Sequence, residues 1–194
     1  MTTIYKCCHG QTIRPGKAWT DQTGVTHPAN WHTYSAERKA ELGITEIVQQ
    51  PHPDSRLYKW SYNDDGTVTS TAKSLDDINE VDENGDPLLD DDGVQVVTKG
   101  VKSKLIAGVK SQQGALLAQS DWAVIRKADT NIDVPTNIQQ WRNEIRLAAA
   151  AMEDQITQAA TTDAVAALFL TYTLEDDGTT TKSGVLYDWP ELSE

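Results

Sequence analysis

Cys7-Cys8-His9 is the first run in the chain whose atoms could hold a metal. A structural zinc site needs two spaced thiolates and two further ligands, so that four donors converge on one ion. Here the cysteines are adjacent, and in a strand their side chains point to opposite faces. His27, His32 and His52 are not spaced as pairs that would complete such a site. Ordinary strand residues are expected, with no metal and no cofactor. Two adjacent cysteines also make no disulfide framework. The acidic stretch offers a second candidate. Placing Gly85 on the invariant glycine of a calcium loop puts Glu80, Asp82 and Asn84 on its first three ligand positions. The bidentate Glu that should close the loop is then Asp91, and Pro87 falls where a β-branched residue belongs. A solvated acidic loop is the expectation.

Catalytic patterns are missing. The sequence holds no Gly-x-Ser-x-Gly, no His-Glu-x-x-His, no phosphate-cradling glycine loop and no Gly-x-Gly-x-x-Gly. Carboxylates are plentiful, but no spacing brings two of them to the separation that a glycosidase needs. A protein that is not an enzyme is expected. The aromatic residues carry more information. Trp19, Trp31, Tyr34, Tyr58, Trp60 and Tyr62 crowd the first third of the chain among polar residues. Such rings either fill a small β core or form a flat platform for sugars or a protein surface.

The elements that position these residues follow from patterning. Up to residue 34 the chain is rich in Thr, Gly, Pro and Trp, which reads as short strands and turns, with corners at Arg14-Pro15-Gly16 and Asp21–Gly24. Ser35 caps a short helix that runs toward Gly43, where a left-handed residue can end it. Ile44–Val48 reads as a strand. Along Arg56–Tyr62 the alternation puts Tyr58, Trp60 and Tyr62 on one face, and Asn63-Asp64-Asp65-Gly66 turns the chain into Thr67–Thr71. A helix is expected from Val101 to Leu117. Ile138, Trp141, Ile145, Ala148, Met152 and Ile156 form one apolar stripe of a longer helix, with Thr136 and Gln139 as a capping box. A further helix over Asp163–Tyr172 leads to a hairpin at Glu175–Gly178. The last corner, Asp176–Thr179, repeats Asp64–Thr67, a match that turn chemistry alone explains.

Composition sets the class. The chain has 194 residues, with 17 Lys and Arg against 29 Asp and Glu, a net charge of −12. No cation surplus exists to displace counterions from phosphates, so neither nucleic acid nor an anionic membrane surface is an expected partner. Apolar residues make up 38% and the mean hydropathy is −0.52. The apolar run Leu147–Met152 is far below the roughly 18–20 residues of a membrane span. The N-terminus lacks the basic-then-apolar pattern of a signal peptide, so a soluble cytoplasmic protein is expected. Residues 76–92 hold nine acids and no Lys or Arg. They read as a mobile linker or a solvated hairpin, followed by Lys99, Lys102, Lys104 and Lys110, which offset that charge. The expected fold is α+β: a β-rich domain over residues 1–72, an acidic hairpin or linker over 73–98, and a helical domain with a terminal hairpin over 99–194.

Leu116-Leu117-Ala118-Gln119-Ser120-Asp121-Trp122, continuing to Ala128, then Val134-Pro135, Trp141-Arg142 and Ile145-Arg146, resembles bacteriophage tail assembly chaperones. That group shares a Leu-Leu-Ala-x-x-Asp-Trp core and a proline-initiated helix with an aromatic-Arg pair and a second Arg four residues on. His27–Trp31, Glu37–Ile44 and Arg56–Trp60 are similar to segments that precede this module in other phage proteins. Trp141 stands where the group usually has tyrosine, and residues 76–98 and those after about 172 fall outside the pattern.

The resemblance implies a non-enzymatic protein that binds a trimeric tail fibre in the host cytoplasm and assists its folding. Some members remain on the finished tail. Partner-binding candidates are Trp31, Trp122, Arg126, Trp141, Arg142 and Arg146. Core packing of Trp141 against the Trp122 segment is expected as well. Arg142 and Arg146 share a helix flank, where they either grip a carboxylate or carbonyl surface on a fibre or pair internally with Glu144, Asp121 or Asp129. The rival reading is a structural or receptor-binding tail component whose N-terminal aromatics contact host glycans. An enzyme acting on cell-wall sugar is a more distant alternative.

Overall fold

Five hairpin corners whose residues are all described share one hydrogen-bond pattern, opening at Asp21, Asn63, Asp82, Asp90 and Glu175. In each, the first residue's N–H donates to the carbonyl four residues on, and the glycine N–H returns to the first residue's carbonyl. The glycines have φ between +76° and +88°. This is the three-residue hairpin loop, a type I turn closed by a left-handed residue. At Asp21, Asp82 and Asp90 one carboxylate oxygen also accepts two backbone N–H groups of its own turn. Those N–H groups hold the Asp82 carboxyl below its ordinary range. A carboxylate committed in this way organises the loop and is not a free cation ligand.

The computed structural model describes residues 2–7 and 10–192, so Cys8 and His9 of the Cys-Cys-His run lie outside the described residues. The fold is α+β. The chain divides into two units, Met1–Thr71 and Ala72–Glu194.

In the first unit, β1 (Thr2–Lys6) is the centre of a three-stranded antiparallel sheet. It is flanked by β2 (Thr12–Ile13) and β5 (Thr45–Gln49), with Ile4 opposite Ile47. β3 (Trp19–Thr20) and β4 (Thr26–His27) form a small hairpin, and a 3-10 turn covers Trp31–Thr33. α1 (Ala36–Glu41) starts at Ser35, whose hydroxyl accepts from the Arg38 N–H at 3.2 Å. It ends at Gly43, φ +63°. β6 (Tyr58–Tyr62) and β7 (Val68–Ala72) form the second hairpin, with Tyr58, Trp60 and Tyr62 half-buried on one face. The core gathers Cys7, Ile13, Trp31 and Ile44.

The second unit opens with the acidic stretch, which forms a branched hairpin. β8 (Ile78–Asn79) pairs with β9 (Val97–Thr98) as a stem, and bridges at Val81–Pro87 and Leu89–Gln95 close two loops above it. At the branch point three N–H groups form a ring. Glu80 donates to the Val96 carbonyl at 2.9 Å, Val96 to Leu88 at 2.8 Å, and Leu88 to Glu80 at 3.0 Å. The Gln95 side-chain amide donates to these same three carbonyls, at 2.7, 3.1 and 3.2 Å. A half-buried junction of three backbones is thereby held together by one neutral side chain.

Below the stem, the chain caps α2 (Val101–Ala118). Gly100 has no side chain to cap with, and the work is done from a distance. Asp77 accepts from the Gly100 N–H at 2.8 Å, while Ser74 and Leu75 carbonyls accept from Val101 and Lys102. Lys99 pairs with Asp77 at 2.8 Å and Lys102 with Asp76 at 3.2 Å. α3 (Asp121–Thr130) and α4 (Thr136–Gln158) follow, with α2 and α4 packed most extensively on each other. α4 buries Ile138, Trp141, Ile145, Met152 and Ile156 of the expected stripe, but Ala149 in place of Ala148. The capping box does not form. Pro135 holds the cap position, its carbonyl accepts from Gln139, and Thr136 is already helical.

α5 (Thr162–Leu168) ends four residues before the expected Tyr172, because the Leu168 carbonyl accepts from Val185 and Leu186 of the returning chain. Tyr172 instead lies in β10 (Thr171–Leu174), paired with β11 (Thr180–Ser183). The tail beyond is tied down by Trp189, whose indole donates to Gln112 at 2.8 Å.

Two outcomes follow from this architecture. An alanine Cβ at Gly66 would lie 2.6 Å from Ile47 Cγ2 and 2.7 Å from the Val48 carbonyl oxygen, at φ +85°. Gly66→Ala is expected to cost about 2–4 kcal/mol in urea unfolding of the first unit. Gly85→Ala, with the same φ sign and open space around it, should cost about 1 kcal/mol. The Asp77 carboxyl is held down from 3.8 to about 2, first by Lys99, then by Ser103 and the Gly100 N–H. A lowered folded-state value contributes stability that is full above about 4 and is lost as pH falls through about 2. Hydrogen exchange of the first turn of α2 should therefore accelerate over that window in the wild type and be fast throughout in Asp77→Ala.

Candidate functional site

The helix corner at residues 117–122 is where the second unit concentrates its polar chemistry. α2 ends at Ala118 and α3 begins at Asp121, leaving late carbonyls of one helix and early N–H groups of the next without intrahelical partners. Arg142, projecting from α4, fills that gap. Its Nη1 donates to the Leu117 carbonyl at 2.7 Å and to Ser120 Oγ at 2.7 Å, and it lies 2.9 Å from Asp121 Oδ1. A cation at the C-terminus of α2 and an anion in the first turn of α3 both suit the helix dipoles. Arg142 is 9% exposed. Of the two alternatives for it, internal pairing with Asp121 is the one formed.

Arg146 stands one turn further along α4 and is exposed. Among the described residues its guanidinium meets neutral acceptors alone, the Arg142 carbonyl at 3.2 Å and Asn143 Oδ1 at 3.4 Å. Lys127 on α3 pairs with Asp133, a carboxylate that is itself fully in solvent. Between α3 and α4 these side chains enclose a groove of about 230 Å³, lined by Val124, Lys127, Val134, Gln139, Arg142 and Arg146 among others. Three cations line it, two of them paired with Asp121 and Asp133.

The remaining candidates separate into inner and outer residues. Trp141 is 5% exposed, and its indole donates to the Pro190 carbonyl at 2.9 Å. Trp31 is fully buried, donates to the Lys17 carbonyl at 2.8 Å and meets Tyr5 edge-on at 5.1 Å. Neither ring is presented to a partner. Trp122 corrects the expectation of core packing: it is 52% exposed, with the Arg126 guanidinium 5.1 Å over its ring. The reason is that α3 buries only Ala123, so its other apolar side chains, Val124 and Ile125 included, stay outside. Arg126 Nε has no hydrogen-bond partner among the described residues.

Sequence reasoning overlooked Ser120, Lys127 and Gln139. Lys127 sits three residues after Val124, and that spacing places both on one face of α3.

In the first unit, His27 is buried, stacks on Trp19 at 4.8 Å and shares a 3.0 Å hydrogen bond with Asp21 Oδ2. The hydroxyl of Thr23 and the His27 ring hold the Asp21 carboxyl well below the usual range. This histidine is a core residue. Trp60 stacks on exposed His52 at 4.1 Å, with Tyr62 edge-on at 5.4 Å. Cys7 is buried with a free thiol. No group of three potential metal ligands occurs among the described residues.

Comparison with family models, with curated proteins and with solved structures returned no match.

Arg142→Ala would remove the charged donor that Ser120 Oγ, Asp121 and the Leu117 carbonyl share, leaving that carbonyl only the Ser120 N–H and hydroxyl. A loss of about 2–3 kcal/mol is expected in denaturant unfolding of the second unit. Arg142→Lys should recover only part of it, because an ammonium lacks the guanidinium's planar set of five donors.

Proposed function

We propose that this protein is a non-enzymatic chaperone of bacteriophage tail fibre assembly, binding the fibre near its tip and assisting its folding and trimerisation in the host cytoplasm. The observation that carries the reading is the convergence of the motif residues. Leu117, Ser120, Asp121 and Arg142, up to 25 residues apart in sequence, meet in one network. The same motif leaves Trp122 and Arg146 facing outward. One half of the motif builds the helix corner and the other half is available to a partner, a division of labour that suits a binding module. The groove between α3 and α4 offers charge and apolar wall together.

A second reading, glycan contact as a tail component, draws on Trp60 stacked on His52 at the surface of the first unit. Trp31, fully buried, drops out of that reading, and Trp60→Ala is the variant that tests it.

The decisive experiment is co-expression of the fibre encoded beside this chain, with and without it, scored by size-exclusion chromatography with light scattering. Soluble fibre trimer that appears only with this protein, and that co-elutes with it, is the expected result. Equal trimer yield without it, and no complex, would remove the chaperone reading. Loss of binding to host polysaccharide in Trp60→Ala would then favour the second.

A further inference from the structure

We infer that the α3–α4 groove is a carboxylate-binding site, and that its occupant is an acidic, partly apolar segment of the partner chain. The inference deepens the proposed function by naming the chemistry of the docked segment, and rests on that function only for who the partner is.

In a chain of net charge −12, a groove lined by Lys127, Arg142 and Arg146, with Asp133 and Asp121 answering the first two, keeps one positive charge unanswered. The three cations are unequal. Arg142 is committed to Asp121, Ser120 and Leu117 inside the fold. Lys127 has Asp133 at 2.8 Å, but that carboxylate is wholly in solvent, so the pair is screened and readily exchanged. Arg146 has no carboxylate partner among the described residues, and its two hydrogen bonds, at 3.2 and 3.4 Å, are to neutral oxygens. A planar fork with an unanswered charge at the mouth of a groove suits a bidentate carboxylate.

Size and lining narrow the ligand further. A half-open groove of about 230 Å³ suits one acidic side chain with its methylenes. It is below the roughly 300–1,000 Å³ of sites that enclose a whole small molecule or cofactor. Val124 and Val134 give the stem of such a side chain an apolar wall, and Gln139 and Asn143 add neutral donors. A polyphosphate or nucleic-acid strand would meet the −12 field of the remaining chain at every flanking charge, whereas a peptide with one or two carboxylates meets little of it.

The test uses the full chain and two synthetic peptides blocked at both ends, Leu-Glu-Val-Glu-Leu and Leu-Gln-Val-Gln-Leu, by titration calorimetry at low salt. The glutamate peptide is expected to bind at least about tenfold more tightly than the glutamine peptide. Arg146→Glu should weaken it about tenfold or more, and Lys127→Glu by a smaller factor. Lys104→Glu, on α2 and outside the groove, should leave it unchanged. Both groove residues are exposed or solvent-paired, so the variants keep the fold, which melting curves verify. Equal affinity for the two peptides, or indifference to Arg146→Glu, overturns the inference.

A second arm applies the Lys127→Glu, Arg146→Glu double variant to the co-expressed fibre complex. Loss of the complex supports both proposals. A complex that forms undiminished overturns the groove inference and keeps the chaperone. Arg146-dependent peptide binding with no fibre complex supports the groove and removes the chaperone.

Discussion

The second unit depends on one guanidinium. α3 buries a single residue, Ala123, and apolar packing of that extent does not fix a helix against its neighbours. What fixes it is Arg142, which joins the last carbonyls of α2 and the first residues of α3 to the side of α4. Burying a charge costs heavily unless it is paired and hydrogen-bonded, and here a carboxylate, a hydroxyl and a carbonyl compensate it together. Replacing that cluster by apolar groups would leave the helix corner's own polar atoms unanswered. The groove is a consequence: α3 stands off from α4 at the place where the clamp holds it, and Val124, Lys127 and Arg146 line the space left over.

The same economy runs through the rest of the chain. With 38% apolar residues, much of the fold is organised by satisfying backbone groups and not by burying large side chains. Five glycine-closed corners, the Gln95 amide at the branch of the acidic hairpin, and Asp77 at the start of α2 are instances of one device. Each places a short polar side chain against N–H or C=O groups that a larger core would have buried in regular ladders. It also explains how nine acids within seventeen residues are accommodated. Asp82 and Asp90 accept from their own turns, and Asp76 and Asp77 face Lys102 and Lys99.

For function, the useful distinction is between motif residues that face inward and those that face outward. Trp141 and Arg142 are adjacent in sequence, and both are internal. Trp122 follows Asp121 directly, yet one is an exposed ring and the other a member of the clamp. A binding reading assigned to the motif as a whole is therefore too broad. The outward set is Trp122, Lys127 and Arg146, with Arg126 half-buried against the Trp122 ring, and it is this set that a partner would meet.

The local chemistry was legible in the sequence alone. Ser35 as a cap, Gly43 as a stop, the Asn63–Gly66 corner and the aromatic alternation of Tyr58, Trp60 and Tyr62 are all dictated within a few residues, because capping, φ freedom and strand pleat are short-range effects. The apolar stripe of α4 was legible for the same reason, since helical period needs no partner. What needed a partner was decided by tertiary structure. Ala148 and Ala149 fit the stripe equally well, and only the neighbouring packing selects Ala149. The Leu168 carbonyl is taken by Val185 and Leu186, so α5 stops short of Tyr172. The choice between Arg142 as grip and Arg142 as clamp turns on a corner 22 residues away, and the exposure of Trp122 on how little of α3 is covered. The sequence determined which residues can carry charge, cap a helix or fill a core. Three-dimensional packing alone decided which of those charges were already answered, because a partner distant in the chain leaves no local trace in the pattern of residues that meet it.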